Sequence, residues 1–101
     1  MLRAMKVSMG VFNKVFSPYQ FRQARILEFP GYPSFAGSFA NMIPYSEAIS
    51  LVQNDRAIRR NSDKVDTVTF VTAHEQSHQW WARQLIGANM QGMTMLSETF
   101  A

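Results

Sequence analysis

Two histidines four positions apart, His74 and His78, enclose the pattern in this chain that points most directly to chemistry, His-Glu-Gln-Ser-His. They are the two histidines of the whole sequence. Side chains four positions apart share one face of a helix, so both imidazoles can reach a single metal ion. Glu75 then lies beside that ion and can act as general base for a metal-activated water. The spacing predicts a zinc site for metal-assisted hydrolysis, with peptides as the substrate class.

A catalytic zinc site of this kind needs a third protein ligand and an open position for water. Glu98, twenty positions after His78, can complete the site if the chain turns back between them. The other acids that could serve are Glu28, Glu47, Asp55, Asp63 and Asp66. Among these, Glu47 is the serious competitor because it stands just before an apolar, strand-like run. Glu75 must stay free, since it takes the proton of the water and passes it to the leaving amine.

Helical and extended patterns alternate along the chain and predict an α+β fold. Methionines and phenylalanines at spacings of three and four predict a helix over residues 4–16, which Ser17-Pro18 ends. The strand predictions are residues 24–29 and 48–52. The loop predictions are residues 34–42, as a loop or short irregular strand, and the polar stretch 53–65.

The helix that must position the histidines is predicted from about residue 67 to about residue 85. Asp66 or Thr67 can cap its start, because a side-chain oxygen there accepts a free backbone N–H. Gly87 is a plausible end signal. Apolar residues on both sides of the motif, such as Val71 and Trp81, favour a buried helix. After a loop over 88–92, a further helix over 93–100 carries Glu98.

Composition bounds the function classes. The 101 residues are 47% apolar and 17% charged, which is typical of one globular domain or part of one. There is no cysteine, so a metal must be held by nitrogen and oxygen ligands.

The net charge of the chain is +3. Its one cluster of basic residues, Arg56, Arg59 and Arg60, indicates a solvated turn, and we expect no nucleic acid as partner. Without a membrane-length apolar run or a signal peptide, we expect the chain as given to be soluble.

Two segments resemble the gluzincin zinc aminopeptidases. Residues 71–81 read V-T-A-H-E-Q-S-H-Q-W-W and residues 96–101 read L-S-E-T-F-A. The family, which includes membrane alanyl aminopeptidase and leukotriene hydrolase, shows V-x-A-H-E-x-x-H-Q-W followed by L-N-E-G-F-A. Ser97 and Thr99 stand where the family has Asn and Gly, and the interval before the second acid is one residue longer.

The resemblance implies a site and a fold. One zinc ion would be held by His74, His78 and Glu98, with Glu75 as general base. The domain would be the N-terminal part of a thermolysin-like zincin: a helix, short strands, the histidine helix and the start of the third-ligand helix. Residues 43–47, I-P-Y-S-E, sit where the family has its substrate strand G-x-M-E-N, although the Gly, Met and Asn are absent. By that resemblance Glu47 binds the free α-amine of a peptide.

The variant motif in this chain combines F-P-G-Y, I-P-Y-S-E, H-Q-W-W and M-L-S-E-T. It looks most like a bacterial subgroup in which the peptidase domain is appended to an ABC-transporter-permease-like membrane protein. The resemblance covers nearly all of residues 1–101 but only a part of the family's catalytic domain. A downstream tyrosine that stabilises the oxyanion is not among the three tyrosines present. We therefore expect a partial catalytic domain, truncated at its C-terminus, that is weak or inactive alone and whose partners are the rest of that domain and a membrane region.

Two other interpretations stay open. The chain can be a non-catalytic remnant that keeps the ligands and acts as a structural or partner-binding module beside a transporter. Its seven methionines can instead form an apolar docking face.

Overall fold

The computed structural model describes residues 1–49 and 65–101, which form an α+β fold of three helices and one two-stranded parallel sheet. The elements in chain order are α1 (Leu2–Val15), β1 (Arg25–Phe29), β2 (Met42–Ser46), α2 (Thr67–Ser77) and α3 (Met93–Phe100). The predicted α+β class is confirmed. None of the helices in the described part has the length and apolar character that a membrane crossing requires.

Helix α1 confirms the first helix prediction with a shift of one or two residues at each end. Its buried side begins with Ala4, Met5 and Ser8. Further along, Phe12 reaches the indole of Trp80, and the two ring centroids lie 5.5 Å apart in an edge contact. α1 therefore packs against the region that carries the histidine motif.

The first strand is confirmed at Arg25–Phe29, but the second strand prediction is wrong. β2 occupies Met42–Ser46, while Ala48 and Ile49 lie in the turn and bend that follow it. The rest of that prediction, residues 50–52, falls outside the described residues.

Proline at position 44 explains the error, because a proline normally argues against a strand. Pro44 nevertheless pairs in register with Leu27 of β1. Its carbonyl still accepts a hydrogen bond from the Gly37 N–H on the opposite edge, at 3.1 Å. The neighbouring side chains Ile43 and Tyr45 are fully buried. Burial of these two side chains and pairing with β1 decide the position of the strand.

The twelve residues 30–41 that join the two parallel strands are called here the crossover segment. They match the dozen residues that a parallel connection requires. The segment carries no helix and instead folds back along β2. Antiparallel bridges join Ala36 to Tyr45 and Phe39 to Met42. The prediction of a loop or short irregular strand for residues 34–42 describes most of this segment.

Helix α2 begins where predicted. The Asp66 carboxylate accepts the backbone N–H of Thr69 at 2.9 Å, which caps the first turn. The loop predicted over residues 53–65 lies outside the described residues, apart from position 65.

The predicted end of this helix near residue 85 is wrong, because α2 ends at Ser77 and His78 is its C-cap. Ala82 adopts a left-handed backbone with φ of 100°, which a right-handed helix cannot contain. Trp80 turns into the core, where its indole N–H donates to the Ser17 carbonyl at 2.8 Å. Tertiary packing of this side chain therefore overrides the helical spacing.

Gly87 is not a helix end. A Cβ at this position would meet the flexible side chain of Met93, the first residue of α3, which would have to move aside. α3 spans Met93–Phe100, as predicted, and its Phe100 ring stacks on Trp81 at 4.9 Å.

Trp80 is the central aromatic residue of the core, with 3% of its surface exposed. Replacing it by alanine removes its contacts with α1 and its hydrogen bond. We expect Trp80→Ala to lower the free energy of unfolding by about 3–5 kcal/mol. Urea denaturation followed by circular dichroism measures this. Tyr32→Ala, at an 84% exposed position, is the control and should change stability by less than about 0.5 kcal/mol. Equal losses in both variants would contradict this description of the core.

Candidate metal centre

Helix α2 presents the two histidines side by side at its C-terminal end. His74 lies in the last turn and His78 is the C-cap, so one helical turn separates them. Their ring centroids are 4.7 Å apart and the ring planes are inclined at 76°. The shared face expected from the spacing of four residues is therefore present.

The carboxylate of Glu98 reaches both histidines from α3. Its Oε2 atom lies 3.3 Å from His74 Nε2 and 3.5 Å from His78 Nε2. One ligand atom from each of the three residues can be chosen so that all lie within 4.8 Å of one another. The structure thus brings together the three residues that the sequence indicated.

These separations suit a small four-coordinate cation. Ligands at 2.0–2.2 Å from a tetrahedral zinc ion are separated from each other by about 3.4 Å. The two nitrogen–oxygen distances, 3.3 and 3.5 Å, lie on either side of that value. Two imidazoles and one carboxylate also form the donor set of catalytic zinc sites that keep a position open. The residues present are therefore compatible with a metal ion held by two imidazoles and one carboxylate.

A backbone contact sets the tautomer of His78. Its Nδ1 lies 3.1 Å from the carbonyl oxygen of Trp81. A carbonyl can only accept, so Nδ1 carries the proton and Nε2 keeps its lone pair. The free nitrogen is the one that faces Glu98, which is the arrangement a metal-binding histidine needs. The early end of α2 produces this contact, since it turns the Trp81 carbonyl back towards the ring.

Glu75 is separate from the three-ligand cluster but lines the same cleft. Its residue surface is 8% exposed. Burial raises the pKa of the Glu75 carboxyl, the neighbouring charges of His74 and His78 lower it, and that of Glu98 raises it again, with a net increase. A carboxylate with a raised pKa binds a proton more firmly than an exposed one does, which suits a general base.

The cleft beside the cluster has a volume of about 270 Å³. The histidines, Glu75 and Glu98 form one side. The crossover segment forms the facing wall through residues 36–38, and Ala82 and Arg83 also line the cleft. Sequence reasoning missed this wall and Arg83. A small-residue run, Gly37-Ser38, was the available signal for the wall, because small side chains let a backbone approach a site closely.

Hydrogen bonds from the Gln79 side chain connect the crossover segment, which forms this wall, to the end of α2. Its side-chain NH₂ group donates to Ser38 Oγ at 2.6 Å and to the Phe39 carbonyl at 2.8 Å. Its Oε1 atom accepts the backbone N–H of Asn41 at 2.8 Å. The side chain is fully buried, and its position directly after His78 couples the cleft wall to a candidate ligand. Sequence reasoning missed this residue as well.

Glu47 lies elsewhere. It follows β2 directly, its backbone N–H donates to the Phe29 carbonyl at 3.0 Å, and its side chain is exposed. It is neither in the three-ligand cluster of the described residues nor among the residues that line the cleft. Its contact with a substrate amine stays a prediction.

The remaining acids named as possible ligands fall into two groups. Glu28 is exposed on β1, and Asp66 caps α2. Asp55 and Asp63 lie outside the described residues.

No family model matches this sequence, and neither the curated proteins nor the solved structures give a match. The function of the site therefore has to be inferred from the geometry of its own residues.

The three-ligand cluster predicts one zinc ion per chain. His78→Ala and Glu98→Ala should each lose the metal on desalting, because two remaining ligands hold zinc poorly. Elemental mass spectrometry of the purified chain and its variants measures this. Glu47→Ala is the matched control and should keep the metal. Zinc retained without Glu98 but lost without Glu47 would reverse the assignment of the third ligand.

The Gln79 contacts predict a stability effect. Gln79→Ala removes the side-chain hydrogen bonds to Ser38, Phe39 and Asn41, one of them buried and two part-buried, so we expect a loss of about 2–4 kcal/mol in the free energy of unfolding. Urea denaturation compares it with Gln23→Ala at an exposed position. A loss no larger than that of the control would mean that the amide does not hold the wall.

Proposed function

We propose that this chain belongs to a zinc-dependent metallopeptidase, of aminopeptidase type. The observation that supports this most is the convergence of His74, His78 and Glu98 within 4.8 Å, with Glu75 in the same cleft. Residues that merely cap or solvate a helix end have no reason to combine two Nε2 atoms, one carboxylate oxygen and a separate buried carboxylate. These are the groups that metal-assisted hydrolysis uses in a site of two histidines, one carboxylate ligand and a general base.

The chemistry divides between the metal and the chain. A zinc ion in this site would supply Lewis acidity and lower the pKa of water towards ~7. His74, His78 and Glu98 would hold the ion. The carboxylate of Glu75 accepts the proton of the attacking water and later delivers it to the nitrogen of the leaving amine. The crossover segment, which hydrogen bonds from Gln79 hold in place, forms the facing wall of the cleft in which the peptide would lie.

The resemblance to gluzincin aminopeptidases supports the same assignment, because it names the same four residues for the same roles. It extends the proposal in three directions. The α+β fold would be the first part of a thermolysin-like domain, Glu47 would bind the α-amine of the peptide, and the parent protein would be associated with a bacterial membrane.

A partner-binding module is the second candidate function, and one observation favours it. Large apolar side chains near the C-terminal end are exposed: Leu85, Ile86, Met90, Met95, Leu96 and Phe100. Surfaces of this kind mark contact with another protein surface. The two candidates differ in what Glu75 is for, since a binding module has no need of a general base.

Glu75→Gln separates the candidates. We expect the variant to keep one zinc per chain while its kcat/KM for an alanine-anilide substrate falls at least about a hundredfold, because the amide accepts no proton. Colorimetric assay and elemental analysis of the same preparation measure both quantities.

Glu28→Gln, at an exposed position on β1, is the control and should keep its activity. A variant at position 75 as active as the wild type would contradict the general-base role. A zinc-loaded wild type without any activity would contradict turnover by this part of the catalytic domain on its own.

A further inference from the structure

One cation in the cleft takes no part in the chemistry derived so far. Arg83 lines the same cleft as the metal cluster. Its Nη2 group donates to the Ser38 carbonyl of the facing wall. Its guanidinium carbon lies 5.8 Å from the centroid of the Phe39 ring. The side chain is thus held in place on two sides, at the edge of the space that a substrate would occupy.

The charge of Arg83 has no carboxylate partner among residues 1–49 and 65–101, where the close contacts between a basic side chain and a carboxylate join Glu98 to the two histidines. A guanidinium has five N–H donors, and this one makes a single hydrogen bond to the described residues. Its Nε atom is buried without any hydrogen-bond partner there. A half-buried cation in this condition is left with unused donors and an unbalanced charge.

We propose that Arg83 binds a carboxylate of the peptide substrate, so that the cleft prefers acidic substrates. This rests on the proposed peptidase function and names its substrate class. A planar guanidinium held against an aromatic ring matches the fork geometry of a carboxylate, which a lysine ammonium does not. A substrate that reaches from the three-ligand cluster to Arg83 would satisfy donors that have no partner among residues 1–49 and 65–101.

Two sources could supply that carboxylate, an acidic side chain or the free C-terminus of a short peptide. Three ligands distinguish them. Each is a succinyl hydroxamate coupled to one amino acid, and its hydroxamate group chelates the zinc. The first ligand carries glutamine amide and has no carboxylate. The second carries glutamate amide, which has a side-chain carboxylate, and the third carries glutamine, which has a terminal carboxylate.

Binding of each ligand to the zinc-loaded full chain is measured by isothermal titration calorimetry. We expect at least one carboxylate ligand to bind about ten- to a hundredfold more tightly than the neutral ligand. The ligand that shows the gain identifies the source. Arg83→Gln keeps an N–H donor for Ser38 but removes the charge, and it should abolish the gain. The neutral ligand should bind this variant within about twofold of the wild type, which shows that the cleft is intact.

Arg22→Gln removes the same charge from an exposed position outside the cleft and should keep the full gain. Equal affinities of all three ligands for the wild type would overturn the role of Arg83 while leaving the peptidase proposal standing. A gain that survives Arg83→Gln, or that Arg22→Gln removes as well, would also overturn it. Failure of every hydroxamate to bind a chain that holds zinc would instead contradict the open metal site, and the Arg83 proposal would fall with it.

Discussion

The chain leaves its helix at His78, and the geometry of the site depends on this early end. In a continued helix the Trp81 carbonyl would point along the axis and away from the His78 ring. Instead it accepts the Nδ1 proton at 3.1 Å and fixes the free nitrogen towards Glu98. The side chains of the residues that follow His78 point in different directions. Gln79 reaches the crossover segment, Trp80 enters the core and Arg83 reaches the facing wall.

This arrangement links stability to the site. The buried Trp80 side chain holds the end of α2 against α1, and the Gln79 amide holds the crossover segment against the same point. Neither residue touches the ligand atoms. Both restrict how far His78 can move, and a metal site with three protein ligands tolerates little movement because its bond lengths are confined to a few tenths of an ångström. In contrast, Glu98 is 54% exposed on α3, so its position depends on few packed neighbours.

The residues that carry chemistry could be found from the sequence because their signal is local. A spacing of four places His74 and His78 on one face wherever the helix lies, and Glu75 follows from the same turn. The α+β class, the first strand and the helix that bears Glu98 were also accessible. The residue pattern alone placed the second strand at 48–52, after the break that Pro44 indicates, whereas pairing with β1 and the burial of Ile43 and Tyr45 select residues 42–46.

The other errors have the same origin. The end of α2 depends on the left-handed backbone at Ala82 and on the burial of Trp80, and neither is encoded in periodicity. Gln79 and Arg83 act on residues some forty positions away, Ser38 above all. A contact at that distance along the chain leaves no local pattern, so sequence reasoning passed over both residues. Long-range tertiary contacts thus decide how the cleft is closed, although local spacing decides which residues can bind the metal.

X-ray absorption spectroscopy at the zinc edge of the metal-loaded chain reports which atoms surround the ion, so it is the sharpest test of the three-ligand site. We expect about four nitrogen and oxygen ligands at about 2.0–2.1 Å, with the multiple-scattering signature of two imidazoles. Glu98→Ala should then lose one oxygen ligand or lose the metal. A spectrum with one imidazole or none, or a six-coordinate shell of water, would show that His74 and His78 do not jointly hold the ion, and the proposed site would be wrong.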